Sequence, residues 1–319
     1  MTPPDLVAIE GLTVSFGSTP ALRGIDLAVA PGEAVGLVGE SGCGKSVTWL
    51  AALGLLPRSA WVAGSVVLDG QELLGAPARV LDRVRGGRVA MIFQDPGSAL
   101  NPVQRIGTQV AEAVRLHRGL SGAAARAEAL RLLEQVGLPG ARGRMDGYPH
   151  EMSGGQNQRV MIAAALAGRP ALLIADEPTT ALDVTIQAQI LDLLRELRRE
   201  LGMALVLISH DLGVVAEMCE RVAVMYAGRI VEEAPADELF ARPRHPYATG
   251  LLGALPPISG PRRPLLAIPG RVPDPADMPP GCAFAPRCER HVPGCDAETP
   301  ALRRLGPARR AACIRAEAA

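Results

Sequence analysis

Long apolar runs are missing from this sequence. Stretches such as Val160 to Ala167 and Met203 to Ile208 are core-sized, well short of the about eighteen apolar residues that a membrane-spanning helix needs. The first residues, Met1-Thr2-Pro3-Pro4-Asp5, carry neither the basic segment nor the following apolar stretch of a signal peptide. The expectation is a cytosolic chain that works at a membrane only by docking onto another protein. An excess of either charge is also missing. Lys plus Arg and Asp plus Glu number 33 each, so no overall field draws the chain to nucleic acid. Paired CxxC motifs are absent, and six cysteines in a cytosolic chain argue against a disulfide framework. Aromatic residues are few: four Phe, two Trp and three Tyr.

What is present is centred on residues 39–46, Gly39-Glu40-Ser41-Gly42-Cys43-Gly44-Lys45-Ser46, which read GxxxxGKS. Glycines at both ends let successive backbone N–H groups turn inward onto phosphate oxygens, and a helix starting at the loop's end adds its positive dipole. Lys45 then reaches the outer phosphates, and the Ser46 hydroxyl ligates Mg²⁺. The context fits, because Ala34 to Val38 is a short apolar run suited to a buried strand. Val47 to Leu56 continues as an apolar helix. Cys43 within the loop and Cys219 in a half-apolar segment read as ordinary small residues.

Upstream, Leu6 to Phe16 and Leu22 to Val29 read as strands around a turn at residues 17–20, with Phe16 placed to stack on a base. Downstream, Ser65 to Leu68 and Val89 to Phe93 read as strands. Gln94, at the end of the second, is positioned to reach a ligand in an α/β crevice. Strand character disappears from Asn101 to Gly147, where Ala127, Leu130, Leu133 and Val136 repeat at helical spacing. Ser153-Gly154-Gly155-Gln156 then heads a helix and forms a second anion-binding N-terminus, although an ordinary N-cap explains the serine equally well.

Ala171 to Ala175 is a buried strand that delivers Asp176 and Glu177. Adjacent carboxylates at a strand end point to different sides, so Asp176 can join the Mg²⁺ shell while Glu177 faces an attacking water as general base. Asp183 caps a periodic helix whose apolar face is Ile186, Ile190, Leu193, Leu197 and Leu201. Ala204 to Ile208 is the next strand and ends in Ser209-His210-Asp211. There His210 is set for a terminal phosphate. Val222 to Tyr226 and Arg229 to Val231 read as late strands.

In their order and spacing these parts resemble the nucleotide-binding subunit of an ATP-binding cassette (ABC) transporter. The resemblance assigns Gln94 to the Q-loop, Ser153 to Gln156 to the signature motif and Asp176-Glu177 to the end of the Walker B strand. It also assigns Ala181-Leu182-Asp183 to the D-loop and His210 to the switch histidine. Residues 94–102, together with His245-Pro246-Tyr247 and the cysteine-bearing tail, resemble the oligopeptide, dipeptide and nickel importer subfamily. Met152 and Asn157 depart from the usual residues around the signature.

The resemblance implies an α/β P-loop NTPase fold with an antiparallel β subdomain, a helical subdomain over about residues 95–165 and a small Cys-rich extension. It places the ATP-binding domain at 1–250 and the extension at 251–319. It implies an ATPase with Glu177, His210 and Gln94 as catalytic residues, and with Ser46, Gln94 and Asp176 around Mg²⁺. Nucleotide contacts fall to Phe16, Gly39, Ser41, Gly42, Cys43, Gly44, Lys45, Ser46, Val47 and Asp183, with Ser153, Gly154, Gly155 and Gln156 acting on a partner cassette's ATP. Implied partners are a second, nonidentical cassette, two transmembrane permease subunits and an extracytoplasmic binding protein. The implied place is the cytoplasmic face of a bacterial membrane. The cargo is a peptide or, alternatively, nickel or another small solute. A soluble cassette acting on nucleic acid or ribosomes would carry basic or coiled-coil insertions or a second cassette, and none is visible.

Residues 256–281 are rich in Pro and Gly and read as an extended linker. Beyond them, Cys282, Cys288, Cys295 and Cys313 bring four soft ligands into a reducing compartment, fit for Zn²⁺ or an iron-sulfur cluster. Spacing alone does not choose between them. The resemblance to peptide-importer subunits implies a [4Fe-4S] cluster that fixes the fold of a tail too short for its own core.

Overall fold

The computed structural model describes residues 5–180, 182–254 and 267–317. Strands among them are β1 (Val7–Phe16), β2 (Thr19–Val29), β3 (Ala34–Val38), β4 (Ala60–Leu68), β5 (Gln71–Glu72), β6 (Val89–Ile92), β7 (Leu172–Asp176), β8 (Ala204–Ile208), β9 (Arg221–Tyr226), β10 (Arg229–Pro235), β11 (Arg303–Gly306) and β12 (Arg309–Ala311). The chain forms two compact units. One is built from Asp5–Val29, Ala34–Leu74 and the chain from Ile208 onward; the other is built from Ala30–Glu33 and Gly75–Leu207.

The first unit, which carries the tail, holds an antiparallel sheet in the order β2-β1-β4-β5. Val7, Ile9, Leu12 and Val14 of β1 are buried, as are Leu22, Ile25, Leu27 and Val29 of β2. A register shift between Ile9 and Leu12 inserts an extra residue. That bulge keeps the apolar side chains on one face where strict alternation would have lost them. The turn is tighter than the sequence implies, since Thr19 and Pro20 already belong to β2.

The same unit contains the strand run β11-β12-β10-β9-β3. β3 lies parallel to β9, and every residue of Ala-Val-Gly-Leu-Val is buried, as expected for a strand covered on both faces. The tail is stitched into this run: β11 and β12 form a hairpin, and β12 pairs antiparallel with β10 through Glu232 and Ala311. Neither tail strand is evident from the sequence. Between residues 267 and 281 there is no helix or strand, in keeping with the expected linker, while 255–266 lie outside the described residues.

The second unit orders its strands β8-β7-β6, with β6 parallel to β7. Its helical part comprises Pro96–Ala99, Ile106–Arg118, Gly122–Gln135, Ala141–Arg144 and Gly154–Leu166. Val110, Val114, Ala129, Leu133 and Val160 are fully buried in the packing of the three long helices. The buried stripe of Gly122–Gln135 is Ala125, Ala129, Leu132 and Leu133, while Ala127 is exposed and Leu130 only half-buried, a shift from the periodicity reading. The helix Val184–Leu201 buries Ile190, Leu193 and Leu197 as expected, but Leu201 in its last turn is 43% exposed.

Among the described residues no helix is long and apolar enough to cross a membrane.

Candidate functional site

In the tail-bearing unit, residues 39–46 connect β3 to a helix that begins at Lys45, two residues earlier than the sequence indicates, and ends at Ala52. Gly39 and Gly44 have φ values of 151° and 105°. A Cβ on Gly39 would stand 2.2 Å from the Met225 carbonyl oxygen, so only glycine lets the loop pass this close to the end of β9. The Gly42 position opens onto free space. The loop therefore has the tight turns and open inner face of an anion cradle.

Lys45 is buried, and its ammonium donates to the carbonyls of Gly39 at 2.8 Å and Glu40 at 3.1 Å. Cys43 is also buried, with Sγ 3.8 Å from Lys45 Nζ; burial pushes its thiol up, against the nearby ammonium. Ser46 and Val47 lie half-buried in the first helical turn. Phe16 ends β1 and is 38% exposed, a free aromatic face. His210 is exposed in the segment after β8. Beside it, Asp211 caps the helix Leu212–Met218 by accepting from Gly213 and Val214 N–H.

In the other unit, β6 ends at Ile92, so Gln94 sits two residues beyond the strand. Its Nε2 donates to Glu177 Oε2 at 2.9 Å. The same carboxylate oxygen accepts from Thr180 Oγ1 at 2.9 Å. Asp176 is buried at the end of β7, whereas Glu177 takes φ 49°, a left-handed backbone rare for a non-glycine residue. The two neighbouring carboxylates differ in burial, Asp176 buried and Glu177 half-buried, and local backbone strain like that at Glu177 concentrates at functional positions.

Ser153 is the N-cap of Gly154–Leu166. Its Oγ accepts from Gln156 N–H at 3.4 Å, and Gln156 Oε1 accepts from Ser153 N–H at 3.1 Å. This is a complete capping box, so the ordinary structural role is filled while Ser153 and Gly154 remain exposed at the helix end. Gly155 is buried, and a Cβ there would meet Ile186 Cγ2 at 2.5 Å. Asp183 caps the next helix by accepting from Ile186 N–H at 3.0 Å; Ala181, in the same loop, is outside the described residues.

The four tail cysteines, Cys282, Cys288, Cys295 and Cys313, all line one small cavity of roughly 10 Å³, with Phe284 and His245 beside them. Burial pushes the Cys282 and Cys288 thiols up, and the other cysteines of the group push in the same direction. Thiols crowded in this way are costly to ionise unless a cation shares them. Among the described residues, however, no three His, Cys, Asp or Glu side chains are grouped so that they could hold a metal ion. The donor chemistry thus fits a soft metal centre, but the side chains are not drawn in around a single ion.

Three residues that the sequence reading passed over also converge on the phosphate loop: Glu40 from the loop itself, and Tyr247 and Arg287 from far along the chain. A carboxylate between the loop's glycines was the available signal.

Two family models match the chain: "ABC transporter" over residues 22–180, and "Oligopeptide/dipeptide transporter, C-terminal region" over residues 231–295. The oligopeptide transport ATP-binding protein OppD of Salmonella typhimurium is 47% identical over 314 residues, spanning 97% of this chain and 93% of OppD. The solved CbiO1 of Clostridium perfringens, part of the ABC transporter complex CbiONQ, is similar at TM-score 0.65 and 28% identity, over 75% of this chain and 91% of its own. A dimeric ATP-binding cassette in a post-hydrolysis state with ADP and Pi is similar at TM-score 0.64 and 30% identity, over 72% of this chain and 98% of its own. The chain belongs to the ABC transporter family, as an ATP-binding, ATP-hydrolysing cassette of the oligopeptide/dipeptide branch.

Proposed function

We propose that the chain powers peptide import from the cytoplasmic face of the membrane, as one cassette of a complex with a second cassette, two permease subunits and an extracytoplasmic binding protein. The observation that carries this reading is the preformed phosphate loop with its buried Lys45, in a chain nearly half identical to an oligopeptide transport ATP-binding protein. The domain reading is an ATP-binding part over residues 1–250, with a helical subdomain at about 95–165 facing the permease, and an extension over 251–319.

In this reading the loop amides and Lys45 take the triphosphate and Phe16 takes the base, while Ser46, Gln94 and Asp176 are the residues that would hold Mg²⁺, whose charge would offset that developing on the phosphates. Glu177 orients the attacking water and accepts its proton; Gln94 and Thr180 hold the acceptor oxygen in place. His210 contacts the terminal phosphate. Ser153, Gly154, Gly155, Gln156 and Asp183 serve the nucleotide of the partner cassette, so hydrolysis waits on assembly.

The four-cysteine cavity is read as the seat of a [4Fe-4S] cluster held by Cys282, Cys288, Cys295 and Cys313. Its chemistry is that of a staple for a small, proline-rich tail. A lone Zn²⁺ requires four ligands close around one point, at about 2.3 Å from each sulfur. Among the described residues no such grouping is present, and the choice of the cluster over Zn²⁺ rests on the likeness to peptide-importer subunits. Purification of the assembled complex, with identification of the solute on its binding protein, tests the cargo: a peptide supports this reading, and nickel or another small solute replaces it.

A further inference from the structure

Glu40 is an electrostatic misfit. It sits inside a loop shaped to receive a polyanion, where a free carboxylate would repel the phosphates. Arg287 removes the misfit. Its Nη1 donates to Glu40 Oε2 at 2.8 Å and its Nη2 to Oε1 at 2.9 Å, the two-pronged arrangement that suits a guanidinium to a carboxylate. The Arg287 side chain is only 6% exposed, against 28% for Glu40.

Two more hydrogen bonds leave the guanidinium group. Nε donates to the Pro269 carbonyl at 2.8 Å, and Nη1 also reaches Tyr226 Oη at 3.4 Å. The Tyr226 and Phe284 rings lie 5.8 and 5.9 Å from the guanidinium carbon. Tyr247, fully buried against both rings, accepts the Glu40 backbone N–H on its phenol oxygen at 2.7 Å. The Glu40 carbonyl in turn accepts from Lys45. Side chain, amide and carbonyl of one loop residue are thus each committed, two of them to the C-terminal part of the chain.

We infer that Arg287 and Tyr247 are positioning residues of the nucleotide site: Arg287 cancels the Glu40 charge, and Tyr247 fixes the loop backbone through which Lys45 is held. The inference rests on the reading of residues 39–46 as the ATP phosphate loop. Its consequence is that the tail is a working part of the nucleotide site. Any change that lifts the segment 282–288 from its seat weakens ATP binding before it touches the hydrolytic residues.

The test is equilibrium binding of a fluorescent ATP analogue with Mg²⁺ to the full chain, with thermal unfolding measured on each variant. Arg287→Gln is expected to weaken binding about tenfold or more, because it leaves an unpaired carboxylate beside the phosphates. Combining it with Glu40→Gln removes that carboxylate and returns the affinity to within about threefold of the unaltered chain. Glu40→Gln alone binds at least as tightly as the unaltered chain. A residue that merely pins the tail would lower thermal stability in both Arg287 variants alike, with no recovery of affinity in the double variant. Unchanged binding in Arg287→Gln, or a double variant as weak as the single, overturns the inference. Should Arg287→Gln fail to fold, Glu40→Gln and Tyr247→Phe decide. The inference requires undiminished binding in the first and weaker binding in the second, and the reverse of either overturns it. An unaltered chain that does not bind the analogue would instead overturn the phosphate-loop reading itself.

Discussion

Gln94 Nε2 donates to Glu177 Oε2 at 2.9 Å, and Thr180 Oγ1 donates to the same oxygen at the same distance. One carboxylate oxygen of Glu177 is therefore anchored twice, which suits the proposed role of Glu177 as general base. Glu177→Gln keeps the size and loses the basicity, so ATP turnover in the assembled complex should fall by about a hundredfold or more, in line with removal of a general base. ATP binding should persist. Steady-state hydrolysis with parallel binding measurements checks this, and retained turnover would remove Glu177 from the role.

Gly155 is held to glycine by packing, since a Cβ there would lie 2.5 Å from Ile186 Cγ2. Gly155→Ala should destabilise the second unit by about 1–3 kcal/mol, the usual effect of overfilling a tight contact. Adding Ile186→Ala removes the opposing carbon and should recover part of the loss. Denaturant unfolding of the single and double variants measures both effects.

The Arg131 guanidinium, donating at 2.7 and 2.9 Å with Arg118 alongside, holds the Glu128 carboxyl down to about 2. A carboxylate whose folded value lies below its ordinary 4.5 contributes stability that is present above 4.5 and is lost as pH falls toward 2. Glu128→Gln should therefore lower the stability of the helical part at neutral pH, by an amount that shrinks steadily below pH 4.5. Amide hydrogen exchange on the helix Gly122–Gln135 across that range is the measurement.

Cys288 lines the same cavity as the other three tail cysteines. Protein purified without oxygen should be brown and contain iron and sulfide in the proportions of one [4Fe-4S] cluster per chain, and Cys288→Ser should lose both. A colourless chain carrying one zinc would assign the cavity to Zn²⁺ instead.

What the sequence made legible was local. The phosphate loop announces itself because glycines, lysine and serine must be neighbours to grip phosphate. Ser153 and Asp183 were readable because a cap acts within three residues of itself. The buried stripe of Gly122–Gln135 was misplaced because alanines and leucines occur on both sides of that helix, so spacing alone could not tell Ala125 from Ala127. The hairpin β11–β12 was missed because Arg303, Arg304, Arg309 and Arg310 hide its strand character. Arg309 and Arg310 find acidic partners on β10, Glu232 and Glu233, which no local window contains. The pairing of Arg287 with Glu40 spans 247 positions and was invisible for the same reason.

The most direct test of the whole account is coupling in the complete transporter reconstituted in vesicles, with ATP hydrolysis and accumulation of a labelled peptide followed together. The account predicts that peptide-loaded binding protein raises ATP turnover, that peptide accumulates, and that Glu177→Gln abolishes both. Uptake that continues in Glu177→Gln, or turnover indifferent to peptide, would contradict it.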